Sequence, residues 1–178
     1  ISTTVSPMSA VARLIRAEHP GAITVFIGPC IAKKSEVIES ITQDNADYAL
    51  TFEELDAMFH AKGVELQASN AVLQQGSIYG KKFGASGGVT AAVLQAFKEM
   101  NAEVDAKVAQ CNGAQECKKA LLMMKVGKLP EDFIEGMACE GGCVGGPSSH
   151  MAIAGFQKER NAQIAQADDR GIHENLAH

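Results

Sequence analysis

Cys139 and Cys143 stand in Met137-Ala-Cys-Glu-Gly-Gly-Cys-Val-Gly-Gly, a C-x-x-x-C pair inside a run that contains four glycines. A metal cluster needs two thiolates on one short segment and a backbone able to fold tightly around a bulky sulfide core. Glycine permits both the unusual dihedral angles and the close approach. The plainer alternative is a glycine-rich turn with two incidental thiols. Zinc suits the pattern less well, because its structural sites complete such a pair with a second pair or with histidines. His60, His150, His173 and His178 offer no such spacing.

Cys30 lies in Gly28-Pro-Cys-Ile-Ala-Lys-Lys-Ser-Glu36. Two lysines just beyond a cysteine favour its thiolate, which suits a nucleophile, a redox thiol or a ligand. A buried cysteine at a strand–helix junction, with Lys33 and Lys34 solvated, is the alternative. Cys111 ends the apolar stretch Val108-Ala109-Gln110 and Cys117 falls on the segment after it. Both read as small buried hydrophobes. Phe83-Gly-Ala-Ser-Gly-Gly88 opens a helix and could present backbone N–H groups to an anion, or serve as a tight packing turn. It lacks the G-x-G-x-x-G spacing and the P-loop Lys-Ser/Thr, so it carries no nucleotide signature.

The elements that must position these residues are legible from periodicity. Ser6-Pro7 starts a helix with Met8, Val11, Leu14 and Ile15 at helical spacing, and Pro20-Gly21 ends it. Ile23–Ile27 reads as a strand, which puts Cys30 just past its C-terminal end, the edge where parallel α/β sheets bind ligands. Thr51 with Glu54 forms a capping box for a helix bearing Leu55, Met58 and Phe59, stopped by Gly63. Val89, Val93, Ala96, Phe97 and Met100 share one helical side after the glycine turn. A further helix runs from about Ala114 to Val126 with Leu121, Leu122 and Met124 inward, and Phe133-Ile134 is a short apolar stretch. After Met151 the chain is polar and weakly helical as far as Gly171. This alternation predicts an α/β fold, a small mainly parallel sheet flanked by helices.

Composition narrows the class. The 178 residues fit one domain, with 46% apolar and 21% charged residues and a net charge of −5. No Lys/Arg run supports a nucleic-acid or anionic-membrane partner, and no apolar run approaches the ~20 residues of a membrane span. Five cysteines make an odd number, and no secretion signal opens the chain, which points to a reducing, cytoplasmic setting where cysteines act as ligands, catalysts or core residues. The N-terminus reads as an internal cut, so a longer protein is expected.

Together the segments resemble the motifs of iron-only ([FeFe]) hydrogenase large subunits. Gly28-Pro-Cys30-Ile-Ala-Lys33-Lys-Ser-Glu36 is similar to the family's Met-Pro-Cys-x-Ala-Lys-Lys-x-Glu. Met137-Ala-Cys139-Glu-Gly-Gly-Cys143-Val-Gly-Gly is similar to Met-Ala-Cys-x-Gly-Gly-Cys-x-x-Gly-Gly, and Phe83-Gly-Ala-Ser-Gly-Gly-Val89 to Phe-Gly-Ala-Thr-Gly-Gly-Val. The likeness continues through Asp47-Tyr-Ala-Leu-Thr51 and ends near His173-Glu-Asn175.

This resemblance implies one lobe of the H-cluster domain over residues 1–178. Its cofactor would be a [4Fe–4S] cubane sharing one cysteine with a diiron unit that bears CO, cyanide and a bridging dithiolate. By motif position Cys30 and Cys139 would ligate the cubane, Cys143 would bridge it to the diiron unit, Lys33 would donate to a cyanide ligand, and Met137 would pack beside the diiron unit. Thiolates suit such clusters, and an anionic cyanide wants a fixed cation. The implied partners are an N-terminal lobe and a ferredoxin-like electron carrier or accessory iron–sulfur domains.

The family's Thr-Ser-Cys-Cys-Pro signature does not occur, so the fourth cubane ligand and the proton-relaying cysteine are expected upstream of Ile1. The isolated chain is therefore expected to be metal-free and inactive. Ser2 stands where a proton-path serine is found. Gly28 replaces a methionine that lines the diiron site, Met8 replaces a glutamine, and Pro147-Ser-Ser-His150 replaces the usual ending. These departures resemble a divergent, sensory branch, so the alternative is a hydrogenase-like iron–sulfur sensor or assembly protein without turnover.

Overall fold

The computed structural model describes residues 2–39, 45–67, 76–168 and 170–176, so His178 lies outside the described residues. The chain divides into two compact units, residues 1–67 with 147–150, and residues 68–146 with 151–178.

In the first unit, helix α1 (Pro7–Glu18) begins as its cap predicts. Ser6 is extended and its hydroxyl accepts the Ser9 N–H at 3.3 Å, with Pro7 at the first helical position. Strand β1 (Val25–Ile27), helix α2 (Ala32–Glu39) and strand β2 (Tyr48–Leu50) follow, the strands pairing in parallel with Phe26 opposite Ala49. Asp47 locks the start of this pair by accepting from the Thr24 N–H at 2.7 Å, its hydroxyl at 2.8 Å and Arg16 of α1 at 2.8 Å. Helix α3 (Phe52–Lys62) carries the expected capping box at Thr51 and Glu54, and Gly63 ends it in the left-handed region at φ 64°. The core is small: Met8, Ala12 and Ala46, with Phe26 and Val37 packed against them.

The second unit contains α4 (Ile78–Lys82), α5 (Gly88–Glu99), β3 (Val108–Asn112), α6 (Ala114–Lys125) and β4 (Phe133–Met137). A 3₁₀ turn at Cys143–Gly145 precedes α7 (Ile153–Ile164) and α8 (Ile172–Leu176). β3 and β4 are parallel, with Cys111 opposite Gly136 and Asn112 opposite Met137, and α6 packs on both. Among the described residues the expected parallel pairing is thus present as two two-stranded sheets, one in each unit.

The apolar side of α6 departs from expectation. Leu121, Leu122 and Met124, which the periodicity places inward, are 51%, 54% and 53% exposed, and Ala120 is the buried residue of α6. Two strands are too narrow a surface to cover the whole apolar stripe of a helix. Val11 and Leu14 of α1 and Ile23 before β1 are exposed as well. No helix among the described residues is long and apolar enough to cross a membrane.

The start of α8 is fastened by the Glu99 carboxylate. Glu99, at the end of α5, accepts from the backbone N–H of Ile172 at 2.8 Å and of His173 at 2.9 Å, and lies 2.7 Å from His173 Nδ1. Gln95 donates at 2.8 Å. These donors, the His173 N–H foremost, hold the Glu99 carboxyl down from its ordinary 4.5 to about 2. A depressed carboxyl stabilises the fold only while ionised, so the anchorage is complete above pH 4.5 and is lost as pH falls toward 2. Limited proteolysis is expected to find α8 protected at pH 5 and progressively released across that window. Glu99→Gln should be released already at pH 5; equal protection of both proteins throughout would refute the anchor.

Candidate metal centre

The first unit holds Cys30 and Lys33. Cys30 follows β1 by Gly28-Pro29 and is half-buried, at the C-terminal strand edge where its position predicts it. The segment Pro147–His150 rejoins this unit beside it: the Ser148 N–H donates to the Pro29 carbonyl at 3.3 Å, and the His150 ring meets Phe52 edge-on, centroids 6.2 Å apart. Lys33 is ion-paired with Glu36, whose other oxygen accepts from the hydroxyls of Ser6 and Ser9. Burial raises the Glu36 pKa, but the Lys33 ammonium and the two hydroxyls together hold the carboxyl below its ordinary value. Ser9 also donates to Asn45 at 2.8 Å, and Asn45 donates to the Glu36 carbonyl at 2.8 Å. The motif lysine is thus set on a polar network spanning α1, α2 and the approach to β2. Ser2 is exposed, its hydroxyl accepting the Thr4 N–H at 3.2 Å.

Two residues read as departures have structural explanations. Met8 is a core side chain. Gly28 is closed by its neighbour, because a methyl group there would lie 2.7 Å from the tip of the Phe26 ring.

The second unit holds Met137, Cys139 and Cys143. β4 runs directly into Met137, whose carbonyl accepts the Gly113 N–H at 2.7 Å, so the departing chain is tied to the end of β3. Between the cysteines the backbone turns back on itself: the Gly142 N–H donates to the Cys139 carbonyl at 3.1 Å, and Gly141 and Gly142 have φ of 80° and 85°. Asn112 accepts the Gly141 N–H at 2.8 Å, and Arg160 of α7 donates to the Gly141 carbonyl at 3.1 Å. The Cys143 N–H donates to the Gly84 carbonyl at 2.8 Å. A methyl group on Gly142 would sit 2.3 Å from the Gly84 carbonyl oxygen, and one on Gly145 would sit 1.9 Å from the Glu140 carbonyl oxygen. Glycine is required here by space as well as by dihedral angle.

The glycine turn before α5 has a partner that sequence reading missed. Glu135, in the middle of β4 and only 6% exposed, accepts the Gly87 N–H at 2.9 Å, the Thr90 N–H at 2.9 Å and the Thr90 hydroxyl. The anion for this helix start is therefore the protein's own carboxylate. The legible signal was a carboxylate between Ile134 and Gly136 in a strand, since a buried charge demands several donors. Cys111 is buried, and its thiol is pushed up first by that burial and then by Cys117. Cys117, expected to be buried like Cys111, is only half-buried, on a helix whose buried residue is Ala120; its Sγ lies 3.3 Å from where a Gly136 methyl would be.

All five cysteines are thiols. Among the described residues no three His, Cys, Asp or Glu side chains converge on a metal position. The candidate donors divide between the units, Cys30 and Lys33 in the first, Met137, Cys139 and Cys143 in the second. As a donor set they fit an iron–sulfur group. The ligands are soft thiols, Cys143 is exposed, and the glycines around it leave no side chain to crowd a bulky cluster.

Residues 1–147 match the family described as iron only hydrogenase large subunit, C-terminal domain. The periplasmic [Fe] hydrogenase large subunit of Nitratidesulfovibrio vulgaris is 34% identical over 69% of this chain, which covers 38% of that protein. Iron hydrogenase 1 of Clostridium pasteurianum is 30% identical over 86% of the chain, covering 35% of that protein. The chain thus spans little more than a third of either relative. Among solved structures, HydA(ΔEFG), described in connection with stepwise [FeFe]-hydrogenase H-cluster assembly, aligns with a TM-score of 0.63 at 20% identity, over 94% of this chain and 61% of that one. A variant of the [FeFe]-hydrogenase HydA1 from Chlamydomonas reinhardtii aligns with a TM-score of 0.58 at 19% identity, over 95% and 59%. At such identities the structural likeness speaks for the fold.

Proposed function

The chain belongs to the family of the iron-only hydrogenase large subunit, C-terminal domain, and from that premise we propose that residues 1–178 form the C-terminal lobe of a domain interconverting H₂ with two protons and two electrons. The observation that carries the reading is the Cys139–Cys143 turn, two thiols on a backbone whose glycines admit no side chain. Cys30 and Cys139 would hold a [4Fe–4S] cubane, and Cys143 would join it to a diiron unit with CO, cyanide and dithiolate ligands. When bound, that group supplies the exchange of H₂ with protons and electrons. The chain's own residues supply position and charge. Glu36 holds the Lys33 ammonium as a fixed cation for an anionic ligand, and Met137 would pack beside the diiron unit. The remaining ligand would come from an N-terminal lobe. Electrons would leave through the cubane to a ferredoxin-like carrier, in the cytoplasm, where thiols stay reduced.

One observation favours a second reading, a sensor or assembly protein without turnover. Gly28 stands where a methionine is usual, so bare backbone replaces a side chain that would line the site. The full-length protein, reconstituted with iron and sulfide and matured with a synthetic diiron unit, separates the two. Sustained H₂ evolution from a reduced carrier is expected; a cubane signal without H₂ evolution would establish the second reading. The isolated chain is expected to evolve none.

A further inference from the structure

The second unit contains a buried carboxylate that the proposed chemistry does not use. Glu135 points from β4 to the first turn of α5, where Gly87, the residue preceding the helix, has no side chain with which to cap it. Four helix-start amides need acceptors. Glu135 provides one acceptor to Gly87 and one to Thr90, and its charge sits at the positive end of the helix. The same helix start is continuous with the loop that carries Gly84: the Ala85 N–H returns to Lys82 at 2.8 Å and the Gly88 N–H to Ala85 at 3.0 Å. Gly88 closes that loop with no slack, since a methyl group there would lie 1.9 Å from the Lys82 carbonyl oxygen. Gly84 in turn accepts the Cys143 N–H at 2.8 Å, and a methyl group on Gly84 would only come into ordinary contact with the Cys143 Cβ and Sγ, so the loop backbone lies close beside that side chain. Glu135 is also four residues before Cys139 on the same strand and exit.

We propose that Glu135 is a positioning residue: through the α5 start and Gly84 it sets the place of the Cys143 thiol relative to Cys139. The strand delivers one cysteine covalently, and the carboxylate on that strand fixes the loop against which the other is held. A carboxylate is required because both donor types at the helix start, amide and hydroxyl, need acceptors. Glutamine would turn an N–H₂ toward one of those donors. The inference deepens the cluster-binding reading and rests on it for its purpose, while its geometry is independent of any bound group.

The test compares full-length wild type with Glu135→Gln, Thr90→Val and Thr90→Ser by residue-resolved amide exchange, and by iron content and cubane midpoint potential after reconstitution. In Glu135→Gln the Gly87, Thr90 and Cys143 amides are all expected to exchange about tenfold faster or more, with iron loss or a displaced potential. Thr90→Val, which keeps both backbone donors, should show the same pattern more weakly, and Thr90→Ser should match wild type. If Glu135→Gln does not fold, Thr90→Val decides alone. Faster exchange at Gly87 and Thr90 with the Cys143 amide and the potential unchanged would reduce Glu135 to a helix cap and overturn the proposal. If wild type itself takes up no iron, the cluster reading falls, and the Cys143 amide still decides the positioning role.

Discussion

Replacing Cys143 by serine in the full-length protein is expected to abolish the cluster, with bound iron falling at least tenfold and the cubane signal lost. An alkoxide is a poor ligand for an iron–sulfur core, and a hydroxyl near neutral pH is hardly ionised. The loss should be no smaller than the 10- to 100-fold typical of outer partners, because here a donor itself is removed. Cys139→Ser should behave alike. The informative control is Cys117→Ala: its sulfur packs toward Gly136, and removing it is expected to destabilise the unit by about 1 kcal/mol while leaving iron content unchanged. Iron and acid-labile sulfide per chain measure all three. Equal loss in all would mean that the structural and ligating thiols have been confused.

Gly142→Ala is the second large effect, and it acts through the backbone. Gly142 has φ 85° and ψ −160°, a region essentially confined to glycine. An added methyl would also lie 2.3 Å from the Gly84 carbonyl oxygen and 2.9 Å from the Ala85 Cα, both backbone atoms that cannot rotate away. Dihedral strain of about 1–3 kcal/mol and forced separation of the Gly84 loop add, so a loss of about 3 kcal/mol or more is expected. The Cys143 N–H to Gly84 hydrogen bond should break in the process. Gly127 provides the contrast. Its φ is 66° but nothing lies within 4 Å of an added methyl, so Gly127→Ala should cost only about 1 kcal/mol. Denaturant unfolding of the two variants compares dihedral strain alone with strain plus collision. Similar losses would show that the close approach at Gly142 is relieved by movement of the loop.

Local rules carried the element assignments far. Ser6-Pro7, the Thr51–Glu54 box and Gly63 each act within four residues of themselves, and each appears as a cap where the sequence places it. Cys30 falls past a strand because the β-rich run and Gly28-Pro29 are contiguous. What failed or stayed hidden depends on distant chain. The apolar side of α6 could be recognised, but whether anything covers Leu121, Leu122 and Met124 depends on the width of the sheet beneath. Glu135 meets Gly87 and Thr90 across more than forty residues, and no periodicity announces such a pairing. The closeness of the Phe26 ring to Gly28 was invisible for a different reason: it depends on the rotamer of a ring two residues back, in β1. The cysteines of the site were legible by type and spacing. Their support by Asn112, Arg160 and Gly84 was legible only in three dimensions.

Cys30, Cys139 and Cys143 would supply part of a site that holds a cubane joined to a CO- and cyanide-bearing diiron unit. Infrared spectroscopy of the full-length protein after maturation with the synthetic diiron unit tests this assignment most directly. Sharp CO and cyanide bands that persist on gel filtration, and vanish in Cys143→Ser, are predicted; a matured wild-type protein showing no protein-bound CO or cyanide bands would contradict the account.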